Sequence, residues 1–188
     1  MIVGIDYGSK VAGTTVICYP DNETLHFRQS KKKEDADQMI TQWVNENNPS
    51  LVMLDAPLSL PIVYTNPSSK TSYHYRQCDR ELKAMSPMFL GGLTARAMQL
   101  RANLSAFDIY ETYPKQVLNH RFAELKECYK VDIEQFCVKL SDRLPLPFEE
   151  TPHNWHQVDS SLAWYAGYLH SLGKANCIGH KQEGEILY

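Results

Sequence analysis

The first fourteen residues, MIVGIDYGSKVAGT (residues 1–14), contain the pattern on which the prediction of the fold depends. Met1 to Ile5 is a short apolar run typical of a buried strand, and Asp6 follows it directly, before a turn that contains Gly8 and Gly13. Strand interiors disfavour aspartate, and a carboxylate at the end of a buried strand is unfavourable unless it meets a cation, a donor or a ligand. Asp6 therefore marks a candidate active site.

The next segments predict a meander followed by a helical crossover. Val11 to Tyr19 and Leu25 to Gln29 favour two further strands, separated by a proline-containing turn. Glu34 to Asn47 has apolar residues at helical spacing. Leu51 to Leu54 is a continuous apolar run of the kind found in strands that are buried on both faces.

This buried strand ends at a second carboxylate, Asp55. A right-handed crossover makes the strand parallel to the first one and allows it to lie beside it. Neighbouring strands lie about 4.8 Å apart, so Asp6 and Asp55 are expected to leave the sheet close enough together to share a divalent cation.

The second half of the chain is mostly helical in pattern. The predicted helices are Tyr75 to Met85, Leu93 to Leu104, Lys115 to Lys126, Ile133 to Leu144 and a last helix from Val158. Phe107 to Tyr113 predicts a strand that contains a third unexpected acid, Glu111, and Asp159 lies in the first turn of the last helix. The tail, Cys177 to Tyr188, is expected to form an edge strand or a loop.

This element order is that of an α/β RNase H-like fold: a mixed five-stranded sheet flanked by helices, with a helical insertion before the last core strand. A chain of 188 residues with 43% apolar content is expected to form a single domain over residues 1–188. Five cysteines, an odd number without CxxC spacing, favour a reducing cytoplasm over a disulfide framework. No apolar run approaches the roughly 18 residues of a membrane span, and no secretory signal pattern opens the chain, so no membrane partner is expected.

Seven blocks of the sequence resemble a known family: GIDYGSK (4–10), LDAPLSLP (54–61), CDRELKA (78–84), TARAMQLR (94–101), YETYPKQVL (110–118), HQVDSSLAWYAGYLH (156–170) and IGHKQEGEIL (178–187). They are similar to the predicted RNase H-like nucleases catalogued as domain of unknown function 429. The spacing of Gly4, Asp6, Gly8 and Gly13 is also similar to the opening of the Holliday-junction-resolvase-like branch of the same superfamily. The resemblance implies a metal-dependent nuclease that hydrolyses phosphodiester bonds in nucleic acid.

The candidate metal ligands are Asp6, Asp55 and Asp159. Asp159 is included because this superfamily generally places its last acid on or near the final helix. Hard carboxylate oxygens suit Mg²⁺ or Mn²⁺ as the cofactor, and two such ions about 3.5 to 4 Å apart hydrolyse phosphodiesters. Glu111 is the fourth candidate catalytic acid, with an ion pair to a nearby arginine as its alternative role. Each aspartate also has a structural alternative, because turns and the first turns of helices favour the residue without any ligand.

Six residues are candidates for contact with nucleic acid: Lys10, Arg76, Arg80, Arg96, Arg101 and His156. The net charge of the chain is -3, which gives no overall sign of a nucleic-acid partner, but Lys70 to Arg101 contains six basic residues against two acidic ones. This basic segment is suited to phosphates, and its tyrosines offer rings for stacking. The alternatives are a solvated helix face on which Arg76 and Arg96 pair with Asp79 or Glu111, and a loop or capping position for His156.

Two other functions stay open at the level of sequence. One is a noncatalytic RNase H-like module that binds nucleic acid or a protein. The other is a nucleotide phosphotransferase of the actin-like or sugar-kinase type, which the length disfavours because those enzymes contain two copies of the fold. A homodimer is a further hypothesis, since an enzyme that cuts junctions is expected to dimerise.

Overall fold

A mixed sheet of seven strands forms the centre of the computed structural model, which describes residues 1–188. The strands are β1 (Ile2–Asp6), β2 (Val16–Asp21), β3 (Thr24–Gln29), β4 (Leu51–Asp55), β5 (Ile109–Thr112), β6 (Cys177–His180) and β7 (Gly184–Leu187). Their order across the sheet is β3-β2-β1-β4-β5-β7-β6. β1 to β3 form an antiparallel meander, and β4 and β5 run parallel to β1.

This strand order confirms the predicted RNase H-like architecture. All five predicted strands are present, as β1 to β5, and the sheet has seven strands because the tail adds a hairpin: β6 and β7 are antiparallel, and β7 pairs in parallel with β5. Three short helices between β4 and β5 form the predicted insertion. They are α2 (Gln77–Leu82), α3 (Pro87–Leu90) and α4 (Gly92–Asn103).

Four further helices complete the fold: α1 (Ala36–Asn47), α5 (Pro114–Arg121), α6 (Ile133–Ser141) and α7 (Trp155–Ser171). Alternate strand residues enter two separate cores. Val3 and Ile5 of β1 pack in one core with residues of α1 and α4, whereas Met53 of β4 packs in the other with residues of α5, α6 and α7. None of the helices is both long and apolar enough to span a membrane.

Among the boundaries that differ from the prediction, two lie next to the acids and have local reasons. The second strand begins at Val16 rather than Val11, because the residues before it form a turn in which Gly13 has a φ of 80°. The last helix begins at Trp155, three residues before the predicted start, because the side chain of Asn154 accepts hydrogen bonds from the first backbone N–H groups. This early start makes His156 a helical residue.

A close contact at Gly4 sets the position of α7 on the sheet. A Cβ atom at this position would overlap the backbone nitrogen of Trp164 and the carbonyl oxygen of Ser160. Backbone cannot move aside as a flexible side chain can, so only glycine permits the helix to lie this near β1. The contact therefore determines the distance between α7 and the end of β1, where Asp6 lies.

Gly4→Ala is expected to lower the free energy of unfolding by about 3 kcal/mol, because α7 must move away from β1. Gly92→Ala is the matched control, since a Cβ there would meet nothing within 4 Å. Urea denaturation of both variants measures the difference. Equal stability of the two variants would contradict a close approach at Gly4.

Candidate active site

Two carboxylates meet where β1 and β4 end. Asp6 and Asp55 are direct partners in the parallel register, so their side chains leave the sheet on the same face. The register also places them on the face that α7 covers, since Gly4 lies two residues before Asp6 on that side. Asp6 is 9% exposed. The structure thus brings together the pair that the sequence predicts.

The first two turns of α7 add a third acid and a histidine. Asp159 is 7% exposed and lies three residues after His156, which puts both side chains on one face of the helix. Nδ1 of His156 lies 2.7 Å from Oδ2 of Asp6. The alternative of a loop or capping residue is therefore wrong for His156, whereas His153 does lie in the preceding loop and is exposed.

A segment that the sequence analysis missed holds Asp159 from the other side. The hydroxyl of Tyr129 donates a hydrogen bond of 2.5 Å to Oδ1 of Asp159, and Nζ of Lys130 lies 3.3 Å from Oδ2. The same ammonium lies 5.0 Å from the centre of the Tyr129 ring. Neither residue carries a sequence signal for this role, because each is about thirty positions from its partner and in a different element.

The electrostatics of the cluster show an excess of negative charge. Burial raises the pKa of Asp55 well above its usual value, and the neighbouring charges of Asp6 and Asp159 raise it further. Burial likewise raises the pKa of Asp6 and that of Asp159, although hydrogen bonds from His156 and Tyr129 oppose the shifts. The hydrogen bond to Asp6 raises the pKa of His156. Each ionised acid therefore favours a nearby cation.

The chemistry of the donors fits a hard divalent cation. Three carboxylates and one imidazole surround the ends of β1 and β4, and oxygen-rich sets of this kind suit Mg²⁺ or Mn²⁺. No three histidine, cysteine or carboxylate side chains are already arranged as metal ligands. Lys130 and Tyr129 occupy both oxygens of Asp159, so this carboxylate has to exchange at least one of them to bind a metal ion.

Glu111 differs from the three aspartates. Its register partner on β4 is Leu54, the residue before Asp55. The side chains of Glu111 and Asp55 therefore project from opposite faces of the sheet. It accepts hydrogen bonds of 2.6 and 2.7 Å from the Arg76 guanidinium and one of 2.9 Å from the backbone N–H of Leu58. The structure thus gives Glu111 the ion-pair role that was its alternative.

Arg76 is a buried structural residue rather than a surface contact for substrate. Its side chain is 0% exposed and is held between Glu111 and Asp79, with Nη2 2.7 Å from Oδ1 of Asp79. Nη1 also donates a hydrogen bond of 2.9 Å to the hydroxyl of Ser59. The prediction that Arg76 binds phosphate is therefore not supported by its position, because phosphate cannot reach a guanidinium that is fully enclosed.

Arg96 is also engaged inside the protein. It donates to Asp37 from Nε at 2.9 Å and from Nη2 at 2.7 Å, and Nη1 donates to the carbonyl of Gly8 at 3.2 Å. Its guanidinium carbon lies 4.8 Å from the centre of the Tyr7 ring. Arg96 thus ties α4 to α1 and to the turn that follows β1. Its carboxylate partner is Asp37, rather than the acids considered from the sequence.

The three remaining basic candidates are exposed. Lys10 lies in the turn after β1, keeps 52% of its side chain exposed and pairs with Asp35 at 3.1 Å. Arg80 and Arg101 lie on the surfaces of α2 and α4. Arg101 is eight residues beyond Leu93, about 12 Å further along the helix at 1.5 Å per residue. Of the three, Lys10 is the nearest in sequence to Asp6, the last residue of β1.

A cavity of about 220 Å³ lies beside the paired acids. Asp6 and Asp55 line it at the ends of their strands, and Tyr113 lines it directly after β5. The helical insertion contributes Met85 and other apolar residues, and the ion-paired Arg76, Asp79 and Glu111 complete the lining. Burial and the charges of Asp55 and Asp159 raise the pKa of Tyr113. Sequence reasoning missed this cavity because its lining comes from segments far apart in the chain.

Fold and site together define an RNase H-like α/β protein with a carboxylate cluster at the ends of β1 and β4. The structure is similar to that titled T. thermophilus RuvC in complex with Holliday junction substrate, with 16% sequence identity over 92% of this chain and 96% of that chain and a TM-score of 0.48. A Thermus thermophilus RuvC structure has 12% identity over the same shares and a TM-score of 0.47. No family model and no curated protein matches the sequence. The RNase H-like architecture follows from the strand order and register of this chain itself.

Arg76→Ala is expected to lower the free energy of unfolding by about 3 to 5 kcal/mol, because it leaves Glu111 and Asp79 buried without a counter-ion. Arg76→Lys is expected to recover only part of the loss, since an ammonium cannot form the forked pairs of a guanidinium. Arg80→Ala, on the exposed surface of α2, is the control and should change stability by less than about 0.5 kcal/mol. Chemical denaturation that gives equal losses for Arg76→Ala and Arg80→Ala would refute the structural role.

Asp55→Asn is expected to stabilise the metal-free protein at neutral pH by about 1 kcal/mol or more, because it removes one of three mutually repelling charges. The folded pKa of Asp55 is raised above 3.8, so the ionised form is disfavoured by folding. The gain in stability is therefore complete at pH values above the raised pKa of Asp55, and it vanishes as the pH falls below the ordinary pKa of an aspartate. Thermal melting in EDTA across this pH range measures it, with the exposed Asp142→Asn as control. A destabilised Asp55→Asn variant would mean that the carboxylate is already satisfied.

Proposed function

We propose that this protein is a metal-dependent nuclease that hydrolyses phosphodiester bonds of nucleic acid, with Asp6, Asp55 and Asp159 as ligands of Mg²⁺ or Mn²⁺. The observation that carries the proposal is the in-register pair of Asp6 and Asp55, with Asp159 packed beside it. Three carboxylates that repel one another, two of them buried and Asp55 half-buried, are unfavourable in a structural core. Their joint presence at one sheet edge is explained if a divalent cation neutralises them in the working protein.

The blocks shared with the predicted nuclease family support the same proposal. Five of them contain residues of the site or of the ion pair that supports it: Asp6, Asp55, Asp79, Glu111 and Asp159. We propose on this basis that the chain is related to that family.

Divalent cations bound at the carboxylates would activate a water molecule and stabilise the leaving oxygen of the phosphodiester, in a two-metal mechanism. The protein's own residues have distinct tasks around that centre. Asp6 and Asp55 hold the negative charge that attracts the cations, and the Tyr129 hydroxyl orients Asp159. His156, whose pKa is raised by Asp6, can hold a proton at the edge of the site and release it to a product oxygen.

Among the candidates for substrate contact, Lys10 and His156 fit the proposal best. Both are partly exposed near the end of β1, with 52% and 44% of their side chains accessible. Arg80 and Arg101 are exposed on the insertion and suit contacts with the backbone of a longer substrate, where charge positions the strand without reading its sequence. A second subunit is one way to extend this surface over a branched substrate.

The test is cleavage of a labelled panel of single-stranded DNA, duplex DNA, RNA, an RNA–DNA hybrid and a four-way junction in Mg²⁺ or Mn²⁺. We expect cleavage of at least one substrate by the wild type. Asp6→Asn should reduce the rate by more than about 100-fold, since even the outer partners of metal ligands are worth about 10- to 100-fold.

Asp142→Asn is the matched control, because Asp142 is an exposed aspartate at the end of α6. It should cut at the rate of the wild type, which excludes a contaminating nuclease when Asp6→Asn is purified in parallel. Activity that persists in Asp6→Asn, or the absence of cleavage by a folded wild type on the whole panel, would refute the nuclease proposal and favour a binding role.

A further inference from the structure

The cavity beside the acids has two chemically different sides. Asp6 and Asp55 lie on the side formed by the sheet. The helical insertion contributes the apolar Met85, Leu90 and Leu93, and it also contributes Arg76 and Asp79, whose charges are already paired with each other. A site for a phosphate alone needs only charge and hydrogen-bond donors, so the apolar side has no role in binding the phosphate itself.

Met85 is exposed to an unusual degree for this setting. It keeps 61% of its surface accessible, although it is an apolar residue next to a charged cluster. Leu90 ends α3 and Leu93 lies in the first turn of α4, where both are only partly buried. Accessible apolar surface in a concave site marks a place for the apolar part of a ligand.

The covalent structure of a nucleotide explains why an apolar surface lies beside the acids. Under the proposed function the scissile phosphate lies at Asp6 and Asp55, and a nucleotide carries its base on the sugar next to that phosphate. The base is planar, and its faces favour apolar and aromatic surroundings. A cavity of about 220 Å³ beside the acids can therefore receive a nucleobase while the phosphate stays at the carboxylates.

We propose that this cavity binds an unpaired nucleobase next to the scissile phosphate, so that the substrate is a single strand or a nucleotide extruded from a duplex. The inference rests on the proposed nuclease function and narrows its substrate class. A paired base is stacked inside the duplex and cannot enter a pocket unless it is turned out of the stack. Met85, Leu90 and Leu93 contact the base, and Tyr113 also lines the cavity.

The surroundings of the cavity match a polyanionic single strand better than a protein segment. The insertion that supplies the apolar wall lies in a segment with four exposed basic residues, Lys70, Arg80, Lys83 and Arg101, and one exposed acid, Glu81. On the same insertion Phe89 is 64% exposed and stacks with His74 at 5.5 Å between ring centres. Basic charge combined with accessible rings is the combination that binds single-stranded nucleic acid.

Binding by fluorescence anisotropy tests the inference without requiring turnover. The probes are a short single-stranded DNA, a strand of equal length in which every sugar is abasic, and a fully paired duplex, each in EDTA and in Ca²⁺. We expect the wild type to bind the strand with bases about tenfold more tightly than the abasic strand, as the stacking of one base implies. The duplex should bind more weakly than the single strand.

The double variant Met85→Ala, Leu90→Ala should lose the preference for bases and keep its affinity for the abasic strand. Leu172→Ala is the matched control, because Leu172 is an exposed leucine that follows α7 and lies outside the cavity lining. Equal binding of both strands by the wild type would overturn the inference, as would an equal loss for both strands in the double variant. A wild-type dimer that the double variant converts to a monomer would also overturn it, because a second copy would then fill the cavity.

Failure of the inference and failure of the proposed function give different results. Cleavage that depends on Asp6 but is indifferent to unpaired bases would overturn the pocket and leave the nuclease proposal intact. A base preference that the double variant removes, in a protein that cuts nothing in the panel, would support the pocket and contradict the nuclease proposal alone.

Discussion

The contact of the α7 backbone with Gly4 is the constraint on which the rest of the site depends. Because glycine has no Cβ, the helix lies against β1 at backbone distance. Two residues further along the strand is Asp6, and one helical turn before the contact residue Ser160 is His156. The helix and strand are thus joined by van der Waals contact at one point and by the hydrogen bond between His156 and Asp6 at the next. The site is built by packing as much as by charge.

The acids on the two faces of the sheet differ in how their charge is compensated. On one face Arg76 is enclosed between Glu111 and Asp79, so that a single guanidinium compensates two carboxylates with short hydrogen bonds. On the other face Asp6 and Asp55 are partners without an arginine, and burial raises the pKa of both. The first arrangement is complete within the protein, whereas the second favours a cation from outside. Under the proposed function, this contrast separates the structural acids of one face from the metal ligands of the other.

The insertion between β4 and β5 links these two arrangements. It supplies Arg76 at the start of α2 and, further along, the apolar residues around Met85 that close the cavity. The pairing of Arg76 with Glu111 on β5 fixes the start of the insertion to the sheet. The position of the apolar wall relative to the paired aspartates therefore depends on a buried ion pair.

The sequence by itself determined the meander of β1 to β3, the parallel pairing of β1 with β4, and the meeting of Asp6 with Asp55, because each follows from local periodicity and the handedness of a crossover. Only the tertiary structure decided the roles of Glu111 and Arg76, since one residue of register sends a side chain to the opposite face of a sheet. The same holds for Tyr129 and Lys130 on Asp159 and for the apolar cavity. These contacts join segments distant in the chain, and no local pattern encodes which surfaces long-range packing will bring together.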